Sequence, residues 1–272
     1  MELEILGSGT SHGVPVIGCG CAVCASTDAR DDRMRASALV RGDSGETILI
    51  DAGPELRLQA IRARIVRIDA VLLTHSHADH AHGIDDLRVF SRAGPLPVYA
   101  EASCVLDVRE RFSYVFRDTQ EGGGKPRLET IVIELLGGPG GDNLRCEPGE
   151  VRIGSVTAIP IPLYHGSIPV FGWRVGDTAY LTDCNLIPEA SFRALSGVTN
   201  LVIGALRERP HATHFSFAQA VGAIDRISPD RAWFTHICHD FTHEGIREWL
   251  AKNAPGKKIE PAYDGLRISV RQ

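Results

Sequence analysis

The chain has 272 residues, of which 43% are hydrophobic and 23% charged, with a formal net charge of -5 and a pI near 6.1. This length suffices for a substantial buried core, and no shift in composition marks a boundary, so a single domain over residues 1–272 is predicted. The sequence has no basic stripe, which argues against long nucleic acids as substrates or partners.

The first predicted element is the apolar strand 3–6, which leads into the turn Gly7-Ser8-Gly9-Thr10. The backbone N–H groups and hydroxyls of this turn, including Ser8, either hold a phosphate group or only close a tight turn. Three thiols follow within six residues, at Cys19, Cys21 and Cys24. This spacing favours a metal site, and a redox pair or packed thiols is the alternative.

Residues 75–80 read His-Ser-His-Ala-Asp-His and directly follow an apolar run. In an extended segment the first two histidines point to the same side, so their imidazoles can reach one cation. A helix that begins near Ala78 and includes the stretch 83–92 turns Asp79 and His80 toward a second, neighbouring cation. Imidazole and carboxylate ligands favour zinc, manganese or iron over calcium or magnesium. A solvated polar loop is the alternative.

Three later runs, rich in β-branched or aromatic residues, are predicted strands that each end near a candidate ligand. The strands cover residues 156–163, 178–181 and 231–234, and the candidates that follow them are His165, Asp183 and His236. Loops from separate strands converge outside the carboxyl ends of a sheet, which is where ligands gather. Each candidate alone is an ordinary residue, but together with 75–80 they predict one metal site.

This order of ligand candidates resembles the metallo-β-lactamase superfamily over nearly the whole chain. The resemblance implies an α/β (α+β) fold, a four-layer αββα sandwich of two mixed sheets with helices outside and the site at one edge. It also assigns the ligands: His75, His77 and His165 to a first cation, Asp79, His80 and His236 to a second, and Asp183 as a bridge between them.

The three cysteines gain a fourth partner in His239, three residues beyond His236. Three thiolates and one imidazole complete a tetrahedral zinc site with Zn–S distances of about 2.3 Å and no open position, so this zinc would be structural. Together with the turn 7–15, this zinc knuckle at 19–24 is similar to that of the PhnP group, the phosphoribosyl cyclic phosphate phosphodiesterases. Lactam-cleaving and thioester-cleaving relatives lack the knuckle.

The PhnP resemblance implies a function and a general acid. The function is a binuclear phosphodiesterase for ribose 1,2-cyclic phosphate or 2′,3′-cyclic nucleotides, with two manganese or zinc ions that hold an activated hydroxide. His214 resembles the family's general-acid histidine, with His211 as runner-up, and Asp79 is counted as catalytic beside it. His214 is alternatively a helix-start residue ahead of a helix over 217–227. A homodimer and a small phosphorylated substrate or nucleotide are also implied.

Three further features each have two interpretations. Asp51 resembles the superfamily's acidic residue that orients a metal-bound histidine, or is a turn residue. Arg57 could pair with a substrate phosphate, although a surface arginine is the simpler expectation. The glycine-rich stretches 121–126 and 137–142 are predicted hairpin tips, and the segment 112–128, whose aromatic residues could cover a bound ring, is alternatively a lid.

The cysteine count bears on the cellular compartment. Seven cysteines is an odd number, and the chain opens without a basic segment followed by a long apolar stretch, so no membrane anchor and a cytoplasmic location are expected. The four cysteines outside the knuckle are expected to be buried free thiols. Two rival functions remain: another metallo-hydrolase of the superfamily, such as a nuclease or thioesterase, and a non-catalytic nucleotide-binding module.

Overall fold

The computed structural model describes residues 1–118, 124–138 and 143–272. Its first sheet has eight strands, in which β3 to β6 run parallel and the remaining pairs are antiparallel. In spatial order the strands are β15 (Arg267–Ser269), β1 (Glu2–Gly7), β2 (Ser37–Arg41), β3 (Thr47–Ile50), β4 (Ala70–Leu72), β5 (Leu96–Glu101), β6 (Leu128–Leu136) and β7 (Arg145–Glu147).

The second sheet has seven strands, in which β11 to β14 run parallel and β8 to β11 pair antiparallel. In spatial order they are β14 (Ile259–Pro261), β13 (Arg231–Thr235), β12 (Asn200–Gly204), β11 (Thr178–Leu181), β10 (Ile168–Val175), β9 (Val156–His165) and β8 (Val151–Ile153). The three strands predicted ahead of the late ligand candidates are therefore confirmed as β9, β11 and β13.

In the part of the chain that the structure describes, seven α-helices flank the sheets or connect their strands: α1 (Leu56–Arg62), α2 (Ala78–Ala81), α3 (Ala102–Arg111), α4 (Ser113–Phe116), α5 (Glu189–Ala194), α6 (Phe217–Ile227) and α7 (His243–Asn253). The predicted helix 217–227 is confirmed as α6, which begins at a capping box between Ser216 and Gln219. Within the described ranges, none of the helices combines the length and hydrophobicity needed to cross a membrane.

Three separate hydrophobic cores divide the molecule into four layers. Strand residues alternate between them: Leu49 of β3 packs toward α1 and α3, whereas Ile48 and Ile50 pack toward the second sheet. The third core lies between the second sheet and the helices α6 and α7, which contribute Phe217 and Ile246. This arrangement confirms the αββα sandwich.

The helix predicted to include 83–92 forms only in part. The α2 helix ends at Ala81, and Ile84–Val89 forms a 3-10 helix instead. Between them the N–H of Gly83 donates to the carbonyl of Ala52 at 2.7 Å, and a Cβ on Gly83 would lie 2.0 Å from the carbonyl oxygen of Gly53. The close approach of the chain after β3 therefore ends the α-helix at this point.

The candidate site lies where parallel strands of both sheets end. Asp51, Asp183 and His236 follow β3, β11 and β13, and all three adopt left-handed backbone angles, with φ of 62°, 48° and 57°. Such conformations cost about 1–3 kcal/mol per residue and concentrate at functional sites. The sheets are joined here by the N–H of Phe171, which donates to the carbonyl of Thr74 at 2.9 Å.

Candidate metal centre

The first donor set consists of His75, His77 and His165, whose ligand atoms all lie within 4.8 Å of one another. The Nδ1 atom of His165 is 2.8 Å from the carbonyl oxygen of Thr213, which leaves Nε2 free to bind a cation. The Nε2 atom of His75 is buried and has no hydrogen-bond partner among the described residues. Buried polar atoms rarely stay unpaired, so this set fits a bound cation.

The second donor set consists of Asp79, His80, Asp183 and His236, all buried. The Nε2 atom of His80 lies 3.2 Å from Asp79 Oδ2 and 3.3 Å from Asp183 Oδ1, and Nε2 of His236 lies 3.6 Å and 3.2 Å from the same two oxygens. Ligand bonds of about 2.0–2.1 Å at tetrahedral angles separate neighbouring donor atoms by about 3.3 Å. The observed spacing therefore matches donors around one cation.

Asp183 lies between the two donor sets. Its Oδ1 atom faces His80 and His236, whereas its Oδ2 atom is 4.0 Å from Nε2 of His75 in the first set. The hydroxyl of Thr182 donates to Oδ1 at 2.7 Å and fixes the carboxylate in this orientation. All seven ligand candidates from the sequence thus come together, and Asp183 lies between the two donor sets, where the predicted bridging ligand would be.

The charges of the second set also suit a cation. Burial opposes the charged form of His80, but the carboxylates of Asp183, Asp51 and Asp79 outweigh it and raise the pKa of His80 well above its usual value. Burial likewise opposes ionisation of Asp183, yet His236 and His80 lower its pKa well below the usual range. A divalent cation would replace the proton of His80 as the charge that balances these carboxylates.

Asp51 positions His80 by contacting the Nδ1 side of its ring, opposite the Nε2 atom that faces the other donors. Its Oδ2 atom is 2.7 Å from Nδ1 of His80, and Thr74 donates to both carboxylate oxygens, from its N–H at 2.8 Å and its hydroxyl at 2.8 Å. The Asp51 side chain is fully buried. A carboxylate that accepts the Nδ1 proton holds the imidazole with Nε2 available for a cation, which is the positioning role considered for Asp51.

Replacing Asp51 by asparagine is expected to weaken metal binding at the second donor set by about 10-fold to 100-fold. The asparagine amide would donate to Nδ1 of His80 and force its proton onto Nε2, the atom that faces the cation. Asparagine also tolerates the left-handed backbone at this position. Metal titration measures the effect. The control is Asp69→Asn, which lies at the start of β4, whereas the ligand candidate His75 follows the end of that strand. Equal metal affinities in the two variants would contradict this role.

His214 and His211 lie beside the two donor sets. The His214 ring stacks on that of His236 with centroids 4.7 Å apart, and its Nδ1 atom is 3.9 Å from Asp183 Oδ2. His214 also forms a possible ligand group with His165 and Asp183, so its position suits either a ligand or a proton donor. His211 is exposed, with its ring 5.1 Å from that of His214.

The cysteine knuckle is fully assembled. The Sγ atoms of Cys19, Cys21 and Cys24 each lie 3.5 Å from Nδ1 of His239. Tetrahedral zinc with Zn–S near 2.3 Å and Zn–N near 2.0–2.1 Å separates these atoms by about 3.5 Å. Hydrogen bonding from the N–H of Cys24 lowers the pKa of Cys21 to about 6, whereas burial raises the pKa of Cys24 to about 11, so of these two thiols only Cys21 favours the thiolate before a cation binds.

Replacing Cys21 by alanine is expected to remove one equivalent of zinc and to lower the Tm by at least about 5 °C, since each kcal/mol shifts the Tm of a chain this size by about 2–4 °C. Residual catalysis should persist in the molecules that stay folded. Elemental analysis and thermal unfolding measure the two effects. Cys146→Ala, which removes a buried thiol of β7, is the control that should keep its zinc. An unchanged zinc count in Cys21→Ala would contradict the structural site.

Two residues predicted to bind substrate do not reach the metal centre. Ser8 is fully buried, and both its N–H and its hydroxyl donate to Asp264 Oδ1 at 2.8 Å, so neither of these donors is left for phosphate. Arg57 lies on the exposed side of α1 and lines a separate groove with Ile61 and Phe90. The hydrogen bonds of Ser8 and the position of Arg57 do not support their substrate-binding roles, which stay predictions.

The remaining predictions concern loops and thiols. The glycine-rich stretches 121–126 and 137–142 and the lid 112–128 lie partly outside the described residues. The four cysteines outside the knuckle are confirmed as buried free thiols. The residues that sequence reasoning missed are His82 and Arg111, which line a cleft beside the ligand His77, and no local motif in the sequence marks either of them.

The sequence and the fold both match known proteins. The family profile described as Beta-lactamase superfamily domain matches residues 46–237. A solved structure titled as a new diphosphatase from the PhnP family is 35% identical, covers 99% of this chain and 98% of its own, and superimposes with a TM-score of 0.84. The chain belongs to the PhnP group of the metallo-β-lactamase superfamily. This confirms the resemblance found in the sequence.

Two other relatives of this PhnP-group protein bear on its function. A Porphyromonas gingivalis protein named octanoyltransferase is 36% identical over 99% of the chain, but the chain spans only 52% of that protein. The Zn²⁺-bound PqqB structure from Methylobacterium extorquens is 19% identical with a TM-score of 0.74, covers 99% of this chain and 100% of its own, and shares the fold.

Proposed function

We propose that the protein is a metal-dependent phosphodiesterase that hydrolyses small cyclic phosphodiesters of the ribose 1,2-cyclic phosphate or 2′,3′-cyclic nucleotide type. The observation that carries the proposal is the pair of adjacent donor sets with Asp183 shared between them. Two cations held in this way lower the pKa of a coordinated water and neutralise the charge that builds up on a phosphoryl group. The superfamily consists mostly of metal-dependent hydrolases, which supports this assignment.

The side chains of the site would have two roles, which are to bind the cations and to orient the ligands. Asp79, Asp183 and the five imidazoles would hold the cations, and Thr74, Thr182 and Asp51 keep several of these ligands oriented by hydrogen bonds. Because this scaffold is already assembled, little reorganisation is needed when substrate binds. The exposed side of the first set, at His77, is the side from which a phosphodiester would approach.

His214 is the proposed proton donor to the leaving oxygen of the sugar. Burial, followed by repulsion from His236, lowers the pKa of His214 to about 3, while Asp183 acts in the opposite direction. Burial and the neighbouring histidine therefore favour the neutral imidazole when no anion lies beside it. The phosphate of the substrate is such an anion, and it would supply the charge that lets His214 carry a proton.

Hydrolysis of a diphosphate is the second candidate function, because the PhnP-family relative at 35% identity is titled a diphosphatase. The same donor sets would bind either substrate, but the leaving groups differ. A phosphate leaves without added help from a proton donor, whereas a sugar alkoxide needs one. The octanoyltransferase name of the longer relative raises acyl transfer as a further reaction to test.

Phosphorus NMR on a panel of substrates, with metal analysis of the same sample, tests the proposal. The panel should contain a 2′,3′-cyclic nucleotide, a ribose cyclic phosphate, a sugar diphosphate and an octanoyl thioester, whose cleavage is followed by release of the free thiol. We expect a cyclic phosphodiester to open to a monoester, the reaction to stop on chelation and to resume with manganese or zinc. Faster turnover of the diphosphate or thioester would favour those functions, and tight nucleotide binding without turnover would favour a binding module.

A further inference from the structure

A cleft of about 560 Å³ opens beside the first donor set. It is lined by His77, Ala78, His82, Arg111 and Phe112. His77 is the most exposed ligand of the first set, so a molecule in this cleft would lie directly against the metal centre. The ligand assignment leaves the other side chains of the cleft without a role, and their chemistry indicates what the cleft can bind.

Arg111 supplies a fixed cation at the end of α3. One of its Nη atoms donates to the carbonyl of Ser76, the residue between the first two histidine ligands, and the other is 3.4 Å from Asp107 Oδ2. Asp107 in turn accepts a hydrogen bond from the Ser76 hydroxyl at 2.6 Å. A guanidinium has five N–H donors, so this arrangement orients Arg111 and still leaves donors for an anionic oxygen in the cleft.

Phe112 and His82 supply the aromatic part of the cleft. Their rings meet edge to face, with centroids 5.8 Å apart and planes at 85°. Phe112 is held because it packs partly against the core of the first sheet, and the next turn is tied down by the Tyr114 hydroxyl, which donates to Asp85 at 2.5 Å. A planar ring can stack on an aromatic surface of this kind, and a nucleobase gains about 1–3 kcal/mol from such stacking.

We propose that this cleft binds the part of the substrate that does not contain the bond to be hydrolysed, and that this part is a nucleoside. Its base would contact Phe112 and His82, while Arg111 would bind an anionic oxygen. This inference rests on the proposed function and narrows it, because it favours nucleotides over sugar phosphates that lack a base. Base recognition comes from the aromatic pair and anion recognition from the guanidinium, so the two contributions can be separated by mutation.

The test is a pair of binding titrations on the metal-loaded protein, with adenosine 5′-monophosphate and ribose 5-phosphate as probes. These probes share the ribose and phosphate and differ in the base. We expect the nucleotide to bind about 5-fold to 150-fold more tightly, the range that stacking of one base supplies. Phe112→Leu should remove this advantage and leave ribose 5-phosphate binding within twofold, whereas Phe112→Tyr should retain it.

Arg111→Gln should weaken both probes by the same factor, and Arg109→Gln is its control. Arg109 lies on the same helix but donates to Thr130 and covers Phe116, so it should change neither affinity. Metal content is measured for every variant, and Arg111→Lys replaces Arg111→Gln if the latter loses metal. Equal binding of the two probes by the wild type, or unchanged nucleotide affinity in Phe112→Leu, would overturn the inference.

These titrations require no turnover, so their outcome is independent of the phosphodiesterase proposal. Nucleotide binding that depends on Phe112 in a protein that hydrolyses no phosphodiester would support the cleft and contradict the proposed function. Hydrolysis of cyclic phosphates with no preference for a base would do the reverse.

Discussion

Replacing Asp183 by alanine is expected to slow hydrolysis of bis(p-nitrophenyl) phosphate by about 10³-fold or more, which corresponds to about 4 kcal/mol of activation free energy. The physical reason is that Asp183 faces both donor sets, with 3.2 Å and 3.3 Å contacts in one and a 4.0 Å approach to the other. Without this carboxylate the two cations lose their shared ligand, and their repulsion is no longer offset. Initial rates and metal content are measured on the same preparation.

Two variants make the Asp183 result specific. Asp183→Asn keeps the size and the left-handed backbone of the residue but removes its charge, and it should lose activity as well. Asp225→Asn, at an exposed carboxylate paired with Lys257, should leave activity unchanged. The knuckle zinc should remain in all three variants, since its ligands are separate from Asp183. Full activity with two active-site metal equivalents in Asp183→Ala would rule out the bridging role.

Replacing His214 by alanine is expected to slow hydrolysis of a cyclic nucleotide by about 10²-fold to 10⁴-fold, the usual contribution of a general acid. Its Nδ1 atom is close to the bridging carboxylate without being required by either donor set, so the metal content should not change. The effect should be much smaller with bis(p-nitrophenyl) phosphate, because nitrophenolate leaves without a proton. The comparison of these two substrates therefore separates proton donation from a general loss of structure.

His211→Ala is the matched control for His214, since it removes the neighbouring exposed imidazole. It should slow both substrates little and to the same extent. Metal loss from His214→Ala would show instead that His214 is a ligand, as its proximity to His165 and Asp183 permits. An equal loss of rate with both substrates would also contradict the general-acid role.

Much of the site could be predicted from sequence because its ligands follow local patterns. Three of the ligand candidates lie at the ends of strands whose residues alternate between apolar and polar or are apolar throughout: His165, Asp183 and His236. The other four lie within the six residues 75–80. The ends of parallel strands meet at one edge for reasons that apply to any such sheet. The knuckle was predictable for a similar reason, since three of its ligands are close in sequence and His239 is only three residues from His236.

The features that could not be predicted depend on contacts between distant parts of the chain. Nothing near Ser8 indicates that Asp264, 256 residues away, takes both of its donors. The position of Arg111 beside the metal loop depends on where α3 ends relative to Ser76. The α-helix stops before Gly83 because the chain after β3 passes against it, and no helix-breaking proline marks that point.

Anomalous X-ray scattering from crystals of zinc-loaded protein would locate the two cations that five imidazoles and two carboxylates are proposed to enclose. We expect two anomalous peaks about 3.5–4 Å apart on either side of the Asp183 carboxylate, and a third between His239 and the three cysteines. A single peak among the histidines, or two peaks of which Asp183 contacts only one, would contradict it.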